Sequence, residues 1–340
     1  MIPAPHPLHN LVRDTIPIIF EDFIQPVTDS FHKFSDCDLE FFGSFVRCWQ
    51  FSPHVNVKSF LRRIRRDAET PSRPPFYIDA SRNMTIDNET FTFFRHVREL
   101  NISFASFAQY NSSVFSNLRG IHTLRAANNN RLTDEACTHL RGIQCLSIEL
   151  CTSLTDHAFE NFHGIKSLCM ANLQTSSVTN QAFLQLRGIQ KLDMSNCVQA
   201  TITDDALRNI VGIRELDISN CNQFTDSAMT HIRGVDTIRM QNLTQITENG
   251  LRNICGARII DIWGCNNANI TKNFLRNCSH CEELVLVKTP IHVQRDDLNS
   301  MSQLFSNVML LRVDDRFSDS ETLAQIQECI EERGGKMMIE

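Results

Sequence analysis

Thirteen cysteines in a chain of 340 residues are the first candidates for chemistry. Cys151, Cys197, Cys221 and Cys265 hold one equivalent place, three residues past an apolar strand position. Such a column could be a redox or metal ladder. Leu173 and Leu243 fill the same place elsewhere, so the column accepts a small or medium apolar group and reads as buried thiols. Cys278-Ser279-His280-Cys281 has the look of half a zinc site, but no second pair stands at zinc-finger spacing. In register, Cys278 matches Ile254 and Ile232, and Cys281 matches Ala257 and Ile213, which are core positions. The twelve histidines form no metal or triad spacing, and there is no glycine-rich phosphate loop. These residues predict no catalytic group, no metal and no cofactor.

The acids that might be taken for general acids or calcium ligands sit in a repeating pair: Thr133-Asp134, Thr155-Asp156, Thr179-Asn180, Thr203-Asp204, Thr225-Asp226, Thr247-Glu248 and Thr271-Lys272. Recurrence at this rate means capping. The threonine oxygen can accept from free N–H groups of a helix start, and an acid in the first turn suits the dipole. In phase with the pair, a glycine followed by an apolar residue recurs from Gly120-Ile121 to Gly256-Ala257, every 22 or 24 residues. Each glycine closes a helix in a left-handed turn.

Between glycine and threonine lies a short strand in each copy. Leu146/Ile148, Leu168/Met170, Leu192/Met194, Leu216/Ile218, Ile238/Met240, Ile260/Ile262 and Leu284/Leu286 alternate inward, with one outward residue between them. Helix pairs four apart, such as Ala158/Phe162 and Ala228/Ile232, turn into the core. The register extends from Phe76/Ile78 to Leu311/Val313, and Ser318-Asp319 caps a last helix. One copy cannot bury its own apolar face, so the copies must stack. The expected fold is an α/β leucine-rich repeat solenoid over residues 76–340, with a parallel concave sheet and helices on the convex side.

The outward strand positions are where binding can reside. They include Arg125, Glu149, Asp193, Asp217, Arg239 and Asp261, with Trp263 beside them. Trp263 is one of two tryptophans, and an aromatic beside Asp261 and Arg239 has the composition of an interface hot spot. The net charge of −6 falls wholly after residue 75, since residues 1–75 hold nine basic and nine acidic side chains. That sign favours a protein partner over nucleic acid.

Residues 1–75 follow another grammar, with nine Phe and four Leu against seven Phe and twenty-three Leu in residues 119–340. The seam is the proline-rich stretch 71–75. A tail (1–19) precedes a segment, 20–70, whose Phe spacing predicts a small N-terminal α-helical segment. Within it, Leu61 to Arg66 reads as an amphipathic helix with a solvated basic face. The N-terminus has no charged lead and apolar core of a signal peptide, and no run is long enough for a membrane span. A reducing compartment, cytoplasmic or nuclear, is expected for a chain so rich in thiols.

The segments LDMSNC (192–197), LDISNC (216–221) and IDIWGC (260–265), each leading to a Thr-Asp-type start, resemble the cysteine-containing leucine-rich repeats of F-box proteins. Segment 20–70 in turn resembles an F-box, the helical motif that docks the Skp1 adaptor of cullin ubiquitin ligases. Asp38-Leu39 precedes Trp49 at that motif's spacing, and Phe45 falls where it has a valine. Its opening Leu-Pro is missing. The resemblance implies a non-enzymatic substrate receptor that holds a protein target on its repeats and a Skp1-like adaptor on Pro26, Phe31, Phe34, Leu39, Phe45 and Trp49. The family occurs in eukaryotes and in large DNA viruses of protists, and a viral chain would work in the host cytoplasm. The residues themselves leave open a free-standing repeat scaffold whose N-terminal helices only cap the solenoid. A repeat-type GTPase activator or a ligase with its own cysteine would be the enzymatic readings, and the ligase needs a catalytic domain for which no stretch is long enough.

Overall fold

The structure, a computed structural model, describes residues 24–27, 48–64, 76–106 and 108–340. The chain divides into two units, Met1–Ser147 and Ile148–Glu340.

Among the described residues of the first unit, six parallel strands follow one another in chain order: β1 (Ile24–Val27), β2 (Cys48–Phe51), β3 (Tyr77–Asp79), β4 (Glu99–Asn101), β5 (Thr123–Arg125) and β6 (Cys145–Ser147). The repeat sheet therefore extends at least two strands before Phe76. The helical expectation for the 20–70 segment is corrected at β1 and β2, and among the described residues of that segment the helix, α1, spans Val57–Ile64. The reason is register. Trp49 pairs with Ile78, Ile78 with Leu100, Leu100 with Leu124 and Leu124 with Leu146, so the tryptophan fills the leucine column of the repeat. Trp49 is 3% exposed. Its ring meets the Phe60 ring of α1 edge-on at 5.0 Å, and the Phe51 ring meets that of Phe60 at 5.3 Å. The basic face of α1 is also less free than expected: Lys58 pairs with Asp87 at 2.5 Å, and Arg62 bonds Glu89.

In the second unit, eight parallel strands run in chain order: β7 (Ser167–Cys169), β8 (Lys191–Asp193), β9 (Glu215–Asp217), β10 (Thr237–Arg239), β11 (Ile259–Asp261), β12 (Glu283–Val285), β13 (Leu310–Val313) and β14 (Lys336–Ile339). The middle residues Leu168, Leu192, Leu216, Ile238, Ile260 and Leu284 are buried, as are the next inward residues from Met170 to Leu286. Each buried side chain of this size stabilises by roughly 1.5–3 kcal/mol relative to exposure.

The helices opposite the strands are single turns: Asp156–Phe159, Asn180–Phe183, Asp204–Leu207, Asp226–Met229 and Glu248–Leu251. The oxygens of Thr155, Thr179, Thr225 and Thr247 cap four of them by accepting the N–H two residues on. The first four are soon followed by a left-handed glycine, Gly164, Gly188, Gly212 or Gly234, which ends them; Gly256, after the fifth, does not take the left-handed conformation expected of it. Gly188, at φ +79°, has open space where a Cβ would stand, so conformation and not crowding requires glycine there. Phe159, Phe162, Phe183, Phe224 and Phe274 are fully buried between helices and sheet. Longer helices, Leu298–Asn307 and Ser320–Glu331, belong to the last two repeats, and Asp319 caps the second by accepting from the Thr322 N–H at 2.9 Å. Among the described residues no helix is long and apolar enough to cross a membrane.

Candidate protein-binding surface

The outward residues of the second unit form one row. Strand register sets Cys169 beside Asp193, Asp193 beside Asp217, Asp217 beside Arg239, and Arg239 beside Asp261. Neighbours in such a row stand about 4.8 Å apart along the backbone. Four of the expected contact residues, Asp193, Asp217, Arg239 and Asp261, are thus brought together, with Glu149 and Trp263 alongside. Arg125 is exposed on the first unit's sheet, between Asn101 and Ser147.

The carboxylates are not equivalent. Asp193 accepts from the Ser195 N–H at 3.0 Å and its hydroxyl at 2.8 Å. Asp217 accepts from the Ser219 N–H at 2.9 Å. Asp261 is 8% exposed, accepting from the Trp263 N–H at 3.0 Å and the Gln241 amide at 2.5 Å. Asp261 therefore positions Trp263 more than it offers charge to a partner. Burial lifts the Asp217 carboxyl above its ordinary range; the Ser219 bonds pull it back and the Asp193 charge adds to the rise. Cys169 donates to Glu149 at 3.1 Å and to Asp193 at 3.4 Å, and burial, with both acids adding to it, pushes its thiol far up. Arg239 is exposed at the centre of this row.

At the other end of the row, the Lys288 ammonium lies 4.4 Å from the centroid of the Trp263 ring. That is a cation–π contact. Lys288 is a contributor that sequence reasoning missed. It holds the left-handed place after the strand (φ 57°) that Asn172, Asn196, Asn220 and Asn242 hold in other repeats. A lysine in an asparagine column was the available signal. The Lys288 N–H donates to Asp314 at 2.7 Å, and a depression of about 420 Å³ opens beside Trp263, Lys288, Asp315 and Arg316.

The remaining candidates for chemistry are structural. Cys197, Cys221 and Cys265 donate to the carbonyls of Met170, Met194 and Met240 at 3.0, 3.1 and 3.0 Å, so each thiol ties its repeat to the one before. Burial pushes all three up to about 12. Cys278 and Cys281 are fully buried, donating to Phe274 O at 3.5 Å and Glu283 O at 3.0 Å. Among the described residues no group of three or more His, Cys, Asp or Glu is arranged to hold a metal.

Of the expected adaptor contacts, Phe31, Phe34, Leu39 and Phe45 lie outside the described residues. Pro26 is in β1, not in a helix. Trp49 is buried in β2 and does not present its ring to a partner.

No family model matches the chain, and no curated protein matches it. Solved structures do. Rad7, from a yeast complex with Elc1, is 13% identical and has a TM-score of 0.57 over 88% of this chain and 87% of its own. An internalin from Listeria monocytogenes is 12% identical, with a TM-score of 0.55 over 87% of this chain and 80% of its own. The fold is a leucine-rich repeat solenoid. TLR13, solved with ssRNA13, shares it at 13% identity and a TM-score of 0.53, but this chain covers only 45% of TLR13's length. At such identities the likeness speaks for the fold of this solenoid alone.

Proposed function

We propose that this solenoid is a non-enzymatic protein-binding module whose partner docks on the outward sheet row from Asp193 to Trp263. The observation that carries this reading is the half-exposed Trp263, held by Asp261 and roofed by Lys288, at the end of a charged row. A rigid aromatic set among charges is the composition that dominates interface energetics. The buried, hydrogen-bonded thiols leave no evident nucleophile in the cysteine column, which favours binding over catalysis.

The finer reading is a substrate receptor of the F-box type, with a Skp1-like adaptor on residues 20–70. Its support is the sequence resemblance, now resting on Phe31, Phe34, Leu39 and Phe45. The second reading is a free-standing scaffold. The pairing of β1 with β2, and of β2 with β3, favours it, because these strands continue the repeat.

Affinity capture with mass spectrometry tests both levels on the full chain. Trp263→Ala combined with Asp217→Ala is expected to lose the target. If that double variant captures the same target as the wild type, the row is not the docking surface. Phe34→Ala with Leu39→Ala is expected to lose an adaptor and keep the target. If the wild type draws no adaptor with it, the F-box reading fails and the scaffold remains.

A further inference from the structure

The edge of the second unit where helices end and strands begin carries a charge pattern that the repeat does not require. One residue precedes each strand: Lys166, Gln190, Arg214, Asp236 and Arg258. The backbone N–H of each donates to the carbonyl of the one before, at 3.0, 3.0, 2.9 and 2.8 Å, so the five form one column. A second column, just before the glycines, contains Arg187, Val211 and Arg233. Lys166, Arg187, Arg214 and Arg233 are all exposed.

The acids in this strip are engaged. Glu215 pairs with Lys191 at 2.6 Å, and Asp236 lies 3.6 Å from Arg258, which it shares with Glu282 at 2.9 Å. Lys166, Arg187, Arg214 and Arg233 make no ion pair among the described residues; Arg233 donates only to the Asn253 amide oxygen, at 2.8 Å. A cation at a helix end complements the last carbonyls. That accounts for Arg187 and Arg233 but not for Lys166 and Arg214, which stand outside the helices at the strand starts. In a chain of net charge −6, four unpaired cations on one edge run against the average.

We infer that this strip, a second surface distinct from the strand row, binds an acidic segment of a partner protein in extended conformation. Three strand steps separate Lys166 from Arg233, about 14 Å, a span of roughly four to five extended residues. A phosphate backbone would meet the same charges, but residues 163–167, 187–191, 211–215 and 233–237 contain no Phe, Tyr or Trp on which bases could stack. Asp193 and Asp217, three residues past Gln190 and Arg214, would also repel a phosphodiester chain that spread from the strip. A short run of Glu or Asp satisfies the cations without extending onto that row.

The test is fluorescence anisotropy on the full chain with three labelled probes: a glutamate-rich peptide of about ten residues, its glutamine counterpart, and an oligouridylate of similar length. The glutamate peptide is expected to bind and the glutamine peptide not to. Lys166→Gln with Arg214→Gln, and separately Arg187→Gln with Arg233→Gln, should each weaken binding roughly tenfold, and added salt should weaken it further. All four side chains are exposed, and an unchanged thermal midpoint confirms that the variants fold. Equal binding of the two peptides, or wild-type binding by both double variants, overturns the proposal. So does tighter binding of the oligouridylate through the same residues, which would make the strip a nucleic-acid surface.

Discussion

The Asp226 carboxylate accepts two hydrogen bonds from Thr247 of the next repeat, from its N–H at 2.7 Å and its hydroxyl at 2.5 Å. The same bond pair joins Asp156 to Thr179 and Asp204 to Thr225, and Glu248 accepts the Thr271 hydroxyl. Capping alone does not explain the acid. It is a rung between repeats, and at Gly250, which replaces the alanine of neighbouring repeats, a Cβ would stand 2.4 Å from Asp226 Oδ1. Asp226→Ala removes both acceptors and is expected to destabilise the chain by about 2 kcal/mol. Asp226→Asn retains one acceptor and should recover part of the loss in urea denaturation.

How much of this was legible follows from what repeats. Leu192, Met194 and Asp193 could be placed in or out from alternation alone, because one period governs them all. Trp49 could not. Its copy lacks the Gly-Ile and Thr-Asp markers, and the spacing of Phe41, Phe45 and Trp49 imitates a helix face. Asp226 is legible as a first-turn acid, but its bond to Thr247 is a contact between copies, which a period does not reveal. Asp261 looked like an exposed charge beside Trp263, and only the structure shows its oxygens occupied by Trp263 and Gln241.

Gly264 leaves room for a neighbour. A Cβ at Gly264 would stand 2.2 Å from Asn242 Oδ1, and its φ is +72°. The Asn242 amide meanwhile donates to Asn220 at 2.8 Å, so the asparagine is held in place. Gly264→Ala is expected to cost about 1–3 kcal/mol. Adding Asn242→Ala should relieve the clash, so the double variant will be less destabilised than the sum of the single ones.

The thiols of Cys197, Cys221 and Cys265, raised by burial to about 12, are predicted to resist alkylation in the native chain. At pH 8 their thiolate population lies roughly a thousandfold below that of an ordinary cysteine. Iodoacetamide labelling followed by peptide mass mapping should find these three unmodified until denaturant is added. Labelling at the rate of free cysteine would show that the hydrogen bonds to Met170, Met194 and Met240 do not hold.

Asp217 trades stability for surface charge, and the sign follows from its raised carboxyl. As pH rises from acid, the unfolded chain ionises Asp217 first, near pH 3.9. The folded chain holds its proton longer, because burial and the Asp193 charge disfavour the anion. Stability is therefore lost as pH rises from the unfolded value to the folded one, and the deficit persists at neutral pH. Asp217→Asn removes the charge while its amide oxygen can still accept from the Ser219 N–H. The variant should be more stable than the wild type at pH 7, by roughly 0.5 kcal/mol for a partly solvated group. The advantage should vanish below about pH 3.5, where both states of the wild type are protonated. Thermal midpoints across this range decide it. An advantage independent of pH would mean that the amide packs better and that charge is not the cause. If Asp217 serves the docking row, the stabilised variant should at the same time capture less of its partner.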